Sequence, residues 1–274
     1  MTTNNIPELL HHTTLTVIDY HKDPSGVTRS VYVLGTHSTL EASKAFATSA
    51  LQGLKYEPND FAEYAVRSAK PWIHGDGVLV FARAPAGQVF LIGIDTTPNN
   101  ESLPAGPDGA VVLPQGADLL HYVLQTTIDY NQDRTGSVQS TEIEGSYVHR
   151  ADAWAAARKC LDPEQFIEYD IRESEEMAGE WPFGEDVIVH AVAEMGQNSA
   201  VAVRTVPGAH KRHAKKDPPR RHKAENTLPR RGAVRQPRSP PPAGPVDRRR
   251  EIVATTDSGR VGCRWVGCDI IISK

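Results

Sequence analysis

The sequence predicts an α+β fold: two related repeats, each an antiparallel sheet with one main helix in the order strand, strand, helix, strand, strand, strand, followed by a disordered basic C-terminal tail. Three observations carry that expectation. Blocks of residues recur in the same order about a hundred positions apart, short runs of period-two alternation flank a single helical run in each copy, and the composition changes abruptly after Pro207.

The recurrence is densest where VIDYHKDPSG (Val17 to Gly26) is answered by TIDYNQDRTG (Thr127 to Gly136). At the same offset Thr16, Ile18, Asp19, Tyr20, Asp23, Gly26, Ser30 and Gly35 match Thr126, Ile128, Asp129, Tyr130, Asp133, Gly136, Ser140 and Gly145. Further along, FAEYAVR (Phe61 to Arg67) pairs with FIEYDIR (Phe166 to Arg172), and WIHGDGVLV (Trp72 to Val80) with WPFGEDVIV (Trp181 to Val189). Gly87, Gln88, Thr96 and Pro98 then match Gly196, Gln197, Thr205 and Pro207. Preserved order over that many blocks marks a duplicated unit and not a solenoid of short repeats. The boundaries that follow are repeat 1 over 1–97, a linker rich in turn formers over 98–118, repeat 2 over 119–207 and the tail over 208–274.

Each element has a local reason. Leu15 to Tyr20 alternates, with Thr16, Ile18 and Tyr20 on one face, and Val31 to Leu34 alternates again, so the two read as a hairpin whose turn is set by Asp23, Pro24 and Gly26. STLEASKAFATSALQGL is the helix: Ser38 and Glu41 have capping-box spacing, and Leu40, Ala47, Ala50 and Leu51 share a face. FAEYAVR is a short strand, and VLVFARA, the APAGQ turn and VFLIGIDTT form a second hairpin.

Repeat 2 follows the same plan, with an Ala-rich helix over Ala151 to Leu161 anchored by Trp154. Where repeat 1 has Tyr32 and Leu34, repeat 2 has Glu142 and Glu144, so one hairpin face is apolar in the first copy and acidic in the second. An apolar face calls for a cover. Tyr32 and Leu34 are therefore the expected contact between the repeats, or between two copies of the chain in a homodimer.

Composition bounds the class. The chain has 274 residues, 39% of them hydrophobic and 23% charged, enough to bury one or two cores. No apolar run approaches the roughly 20 residues that span a bilayer, and Cys160, Cys263 and Cys268 make no disulfide framework, so a cytoplasmic or nuclear protein is expected. The net charge of -4 hides an asymmetry: Met1 to Val203 carries 12 Lys and Arg against 28 Asp and Glu, and Arg204 to Lys274 carries 18 against 6. The two parts stand at -16 and +12.

The basic part is dominated by Pro, Arg and Gly, and its few apolar side chains cannot offset an ordering cost of about 1–2 kcal/mol per residue. Lys211, Arg212, Lys215, Lys216, Arg220, Arg221 and Lys223 have the pattern of a nuclear-localisation signal or of nonspecific, salt-sensitive phosphate contacts. No aromatics are interleaved for base stacking. The same cations would also attract the acidic part of the chain at low ionic strength. A third origin is open too, since translation of an altered reading frame gives biased composition of this kind.

Candidate chemistries are few. Asp129, Asn131 and Asp133 sit like the first ligands of a calcium loop, but Arg134 stands at the glycine position, Ser140 at the bidentate glutamate, and strands flank the loop; a hairpin turn accounts for them. His74 and Asp76, set beside Gly75 and Gly77, suggest an acid–base pair, yet the aligned Phe183, Gly184, Glu185 and Asp186 share only the turn. His11, His12, His121 and His149 lack metal-ligand spacing, and Cys263 and Cys268 have no second cysteine pair. Glu173, Glu175, Glu176, Glu180, Glu185 and Asp186 read as a solvated acidic face. The sequence holds no nucleophile elbow, Walker loop, dinucleotide fingerprint or zincin helix, so no catalytic residue, metal or cofactor is expected from it.

The blocks VYVLGTHSTLEASKAFA, WIHGDGVLVFARAPAGQVF and VLQTTIDYNQDRTGSVQSTEIEGSY resemble a group of uncharacterised tandem-repeat proteins from filamentous fungi, over about Leu10 to Pro207. The resemblance implies an intracellular location and brings no site residues with it. The reading is a non-enzymatic intracellular binding or interaction protein whose partner is another protein or a small ligand. Its rivals are a nuclear or nucleic-acid-associated protein acting through the tail, and an enzyme with a cleft between the repeats.

Overall fold

Period-two alternation builds strands longer than the pattern alone marks, because both faces of each sheet are covered and apolar residues occupy both. The computed structural model describes residues 5–68, 71–174, 181–205, 262–265 and 268–271. All of these belong to one compact unit, Met1–Ala214 with Arg260–Lys274. The disorder expected of the tail falls on residues outside the described ones, apart from a hairpin of Gly262–Trp265 and Cys268–Ile271.

Repeat 1 runs β1 (Leu9–Asp19), β2 (Arg29–His37), α1 (Leu40–Gly53), β3 (Glu63–Val66), β4 (Val78–Arg83) and β5 (Gln88–Pro98). Repeat 2 runs β6 (His121–Asp129), β7 (Gln139–Tyr147), α2 (Arg150–Ala157), β8 (Glu168–Ile171), β9 (Val187–Val192) and β10 (Gln197–Thr205). The sheets have equivalent orders, β2-β1-β5-β4-β3 and β7-β6-β10-β9-β8, with antiparallel pairing throughout. Even the irregularities recur. The register shifts at Thr13/Thr14 and again at the aligned Val123/Leu124. This is the expected α+β duplication, in element order and in detail.

The repeated decapeptide is a turn clamp. Asp23 accepts hydrogen bonds from the Ser25 and Thr28 amides (3.1 and 2.7 Å) and from the Ser25 hydroxyl. Asp133 accepts from the Thr135 and Ser137 amides (2.9 and 3.3 Å) and from both hydroxyls. These bonds hold both carboxyls below the usual range. Gly26 and Gly136 have φ of +70° and +81°, and a Cβ on Gly26 would lie 2.6 Å from Tyr20 Cε1. Tyr, Asp and Gly therefore recur together because one turn geometry requires all three.

The helices depart from expectation at their ends. Thr39, not Ser38, caps α1 by accepting from the Ala42 amide at 3.2 Å; Ser38 instead donates to the Gly109 carbonyl at 3.0 Å, tying the linker to the helix start. α1 has 14 residues and buries Ser43, Ala47, Ala50 and Leu51. α2 has 8 and stops at Ala157, short of the expected Leu161.

The pleat decides which side chains meet the other repeat. Leu34, 5% exposed, and Tyr32 point beneath α1, into a core with Leu15, Ala47, Leu51, Phe90 and Ile92. Val31 and Val33 point the other way, into a cluster with Leu10, Leu103, Tyr122, Leu124 and Ile143 that joins the two repeats. The contact expected at Tyr32 and Leu34 is thus corrected by one residue: the helix covers those two, and their alternates mate the repeats.

The mating surface is self-complementary. His12 and Tyr122, which occupy equivalent positions, meet edge to face with ring centroids 5.6 Å apart. The Thr36 hydroxyl lies 2.9 Å from His12 Nδ1 and 2.7 Å from the Tyr122 hydroxyl, and Thr97 Oγ1 lies 2.8 Å from His12 Nε2. Arg29 donates to the Ser137 and Gln139 carbonyls, and Gln139, its counterpart, donates to the Val27 carbonyl at 2.6 Å. Equivalent residues meeting across an axis define an isologous interface, here contained in one chain.

Burial, reinforced by His11 and His37, pushes His12 down to about 4, and burial pushes Tyr122 up to about 12. A depressed histidine favours the unfolded state as it charges, so its contribution is complete above the ordinary value of 6.5 and is lost as pH falls toward 4. Between pH 7 and pH 5 the wild type should lose about 2 kcal/mol more stability than His12→Asn, read from urea midpoints; parallel losses would contradict this. Gly26→Ala should cost roughly 1–3 kcal/mol, whereas Gly53→Ala, at a helical position with open space around it, should gain up to about 1 kcal/mol. Thermal melts showing equal effects would refute the turn-clamp account.

Candidate functional site

Several sequence candidates resolve into scaffold. His74 stacks on Phe81 with centroids 4.0 Å apart and an 18° interplanar angle, and it meets Trp72 edge to face. In repeat 2 the partners exchange: Phe183 stacks on His190 at 3.9 Å and 8°. A stack preserved while its members trade places is a packing device. Asp76 is fully exposed, 3.9 Å from Arg67. His11 and His121 make the same hydrogen bond in both copies, to Thr96 at 3.2 Å and Thr205 at 2.9 Å. His149 precedes α2 without a side-chain capping bond.

The carboxylates of Asp129 and Asp133 are engaged in their turn, and Asn131 packs beside Gly196. Among the described residues no group of three or more His, Cys, Asp and Glu is placed to hold a metal ion. Lys211, Arg212, Lys215, Lys216, Arg220, Arg221, Lys223, Glu175, Glu176 and Glu180 lie outside the described residues.

Two hollows have the wrong chemistry or size. The cleft between the repeats, with Arg29 and Val31 on one side and Leu124, Thr126 and Arg204 on the other, holds about 100 Å³, below the roughly 300–1,000 Å³ of ligand pockets. A larger hollow of about 700 Å³ opens at the start of α1, lined by Ser38, Thr39, Glu41 and Asp108. Its two carboxylates oppose the anion that a helix N-terminus attracts.

The strongest site emerges when the repeats are laid on each other. Beneath α1 the sheet of repeat 1 presents Leu15, Val17, Tyr32, Leu34 and Phe90, packed against the helix. The aligned positions of repeat 2 are Gln125, Thr127, Glu142, Glu144 and Ser199. An apolar floor has become polar at every one of these positions. α2 has 8 residues where α1 has 14, so the helix packed on this face, the furrow of repeat 2, is about 9 Å shorter. Val123, Val201 and Val203 keep an apolar core under what remains of the helix.

Three of the five side chains are joined by hydrogen bonds. The Cys160 thiol, just past α2, donates to Gln125 Oε1 at 3.5 Å; Gln125 Nε2 donates to Thr127 Oγ1 at 3.5 Å; and Thr127 Oγ1 lies 3.4 Å from the Ser199 hydroxyl. Ser199 is buried, Gln125, Thr127, Tyr147 and Cys160 are half-buried, and Glu142 and Glu144 are exposed. Glu144 is pushed up by burial and then by Glu142 and Asp95. Burial, with Glu144 adding to it, pushes Cys160 up to about 11. The thiol is thus a protonated donor and not a thiolate nucleophile.

Sequence reasoning singled out Glu142 and Glu144 but not Gln125, Thr127, Ser199, Tyr147 or Cys160. The signal was present in the repeat alignment as columns where an apolar residue in one copy faces a polar one in the other. Compared with known proteins, the chain matches no family model, no curated protein and no solved structure. The internal comparison between repeats therefore carries the assignment.

A furrow kept polar for binding should be suboptimal for folding. Glu142→Tyr with Glu144→Leu, which restores the residues of repeat 1, should raise stability by about 1 kcal/mol in chemical denaturation. A loss of stability would mean that the two carboxylates are structural.

Proposed function

We propose that this is a non-enzymatic intracellular binding protein in which repeat 1 serves as scaffold and the furrow of repeat 2 as the ligand surface. The observation that carries this reading is the exchange of Leu15, Val17, Tyr32, Leu34 and Phe90 for Gln125, Thr127, Glu142, Glu144 and Ser199 on one scaffold. Polar residues at core positions weaken folding, and a ligand that meets their hydrogen-bonding capacity explains why a fold would keep them. The floor offers the half-buried Gln125 amide and Thr127 hydroxyl and two exposed carboxylates, which suit a ligand rich in hydrogen-bond donors. The protonated Cys160, hydrogen-bonded to an amide instead of a base, supports binding over catalysis.

A thermal-shift screen of the full chain against amines, polyols and amides tests the reading. A ligand at a hundredfold excess over its Kd should stabilise the protein by about 2.7 kcal/mol, and Glu142→Tyr/Glu144→Leu should abolish the shift. A shift that survives this substitution places the ligand elsewhere, and a screen without shifts counts against the furrow.

A further inference from the structure

We draw no further inference here: the strongest candidate, the surface patch at the end of the repeat 2 sheet where Val138, Ile167 and Met195 are exposed in place of Thr28, Ala62 and Ala86 of repeat 1, carries nothing because no feature of the structure shows what covers it.

Discussion

Each of the two five-stranded sheets carries apolar residues on both faces, and removing them from water organises the molecule. One face of each sheet is covered by the helix of its own repeat, and part of the other by the opposite repeat. Because successive side chains on a strand point to opposite faces, β2 supplies both covers at once: Tyr32 and Leu34 to α1, Val31 and Val33 to the junction. A one-residue slip would exchange them, so the bulge retained in both hairpins is part of the specification.

The two copies have kept one cover and altered the other. At the junction, apolar packing and the reciprocal bonds of Arg29 and Gln139 hold the repeats in one register, and Thr97, His12, Thr36 and Tyr122 pair with one another in a neutral relay. Under the helices the copies diverge: the floor of repeat 1 is apolar apart from Thr13, which bonds Ser43 of α1, and that of repeat 2 carries the Gln125, Thr127 and Ser199 chain. Thr36, His12 and Tyr122 are matched within the chain at the junction, whereas Glu142 and Glu144 are exposed.

Much of the architecture was legible in the sequence. The duplication, the element order and the turn built on Asp23 and Gly26 follow from recurring residues whose physical demands are local. The length of α2 was not legible, because Arg158, Lys159 and Leu161 favour helix beyond Ala157 and no glycine or proline interrupts the run before Pro163. Nor was the partner of Tyr32 and Leu34, since alternation states which residues share a face and not what that face meets. Of the furrow, the two glutamates were visible as a contrast between copies; Ser199 and Gln125 were hidden because a lone polar residue in a strand also fits a solvated surface.

The meeting of His12 with Tyr122 has an evolutionary corollary. In an assembly of two identical subunits, a residue on the symmetry axis faces itself, so any substitution there or in the core is imposed twice. Once both halves are joined in one polypeptide, each can change alone: an imidazole can face a phenol, and one half can make part of its sheet face polar while its own remaining core and the other half keep the whole folded. Fusion, on this view, is what made the asymmetry between the halves tolerable.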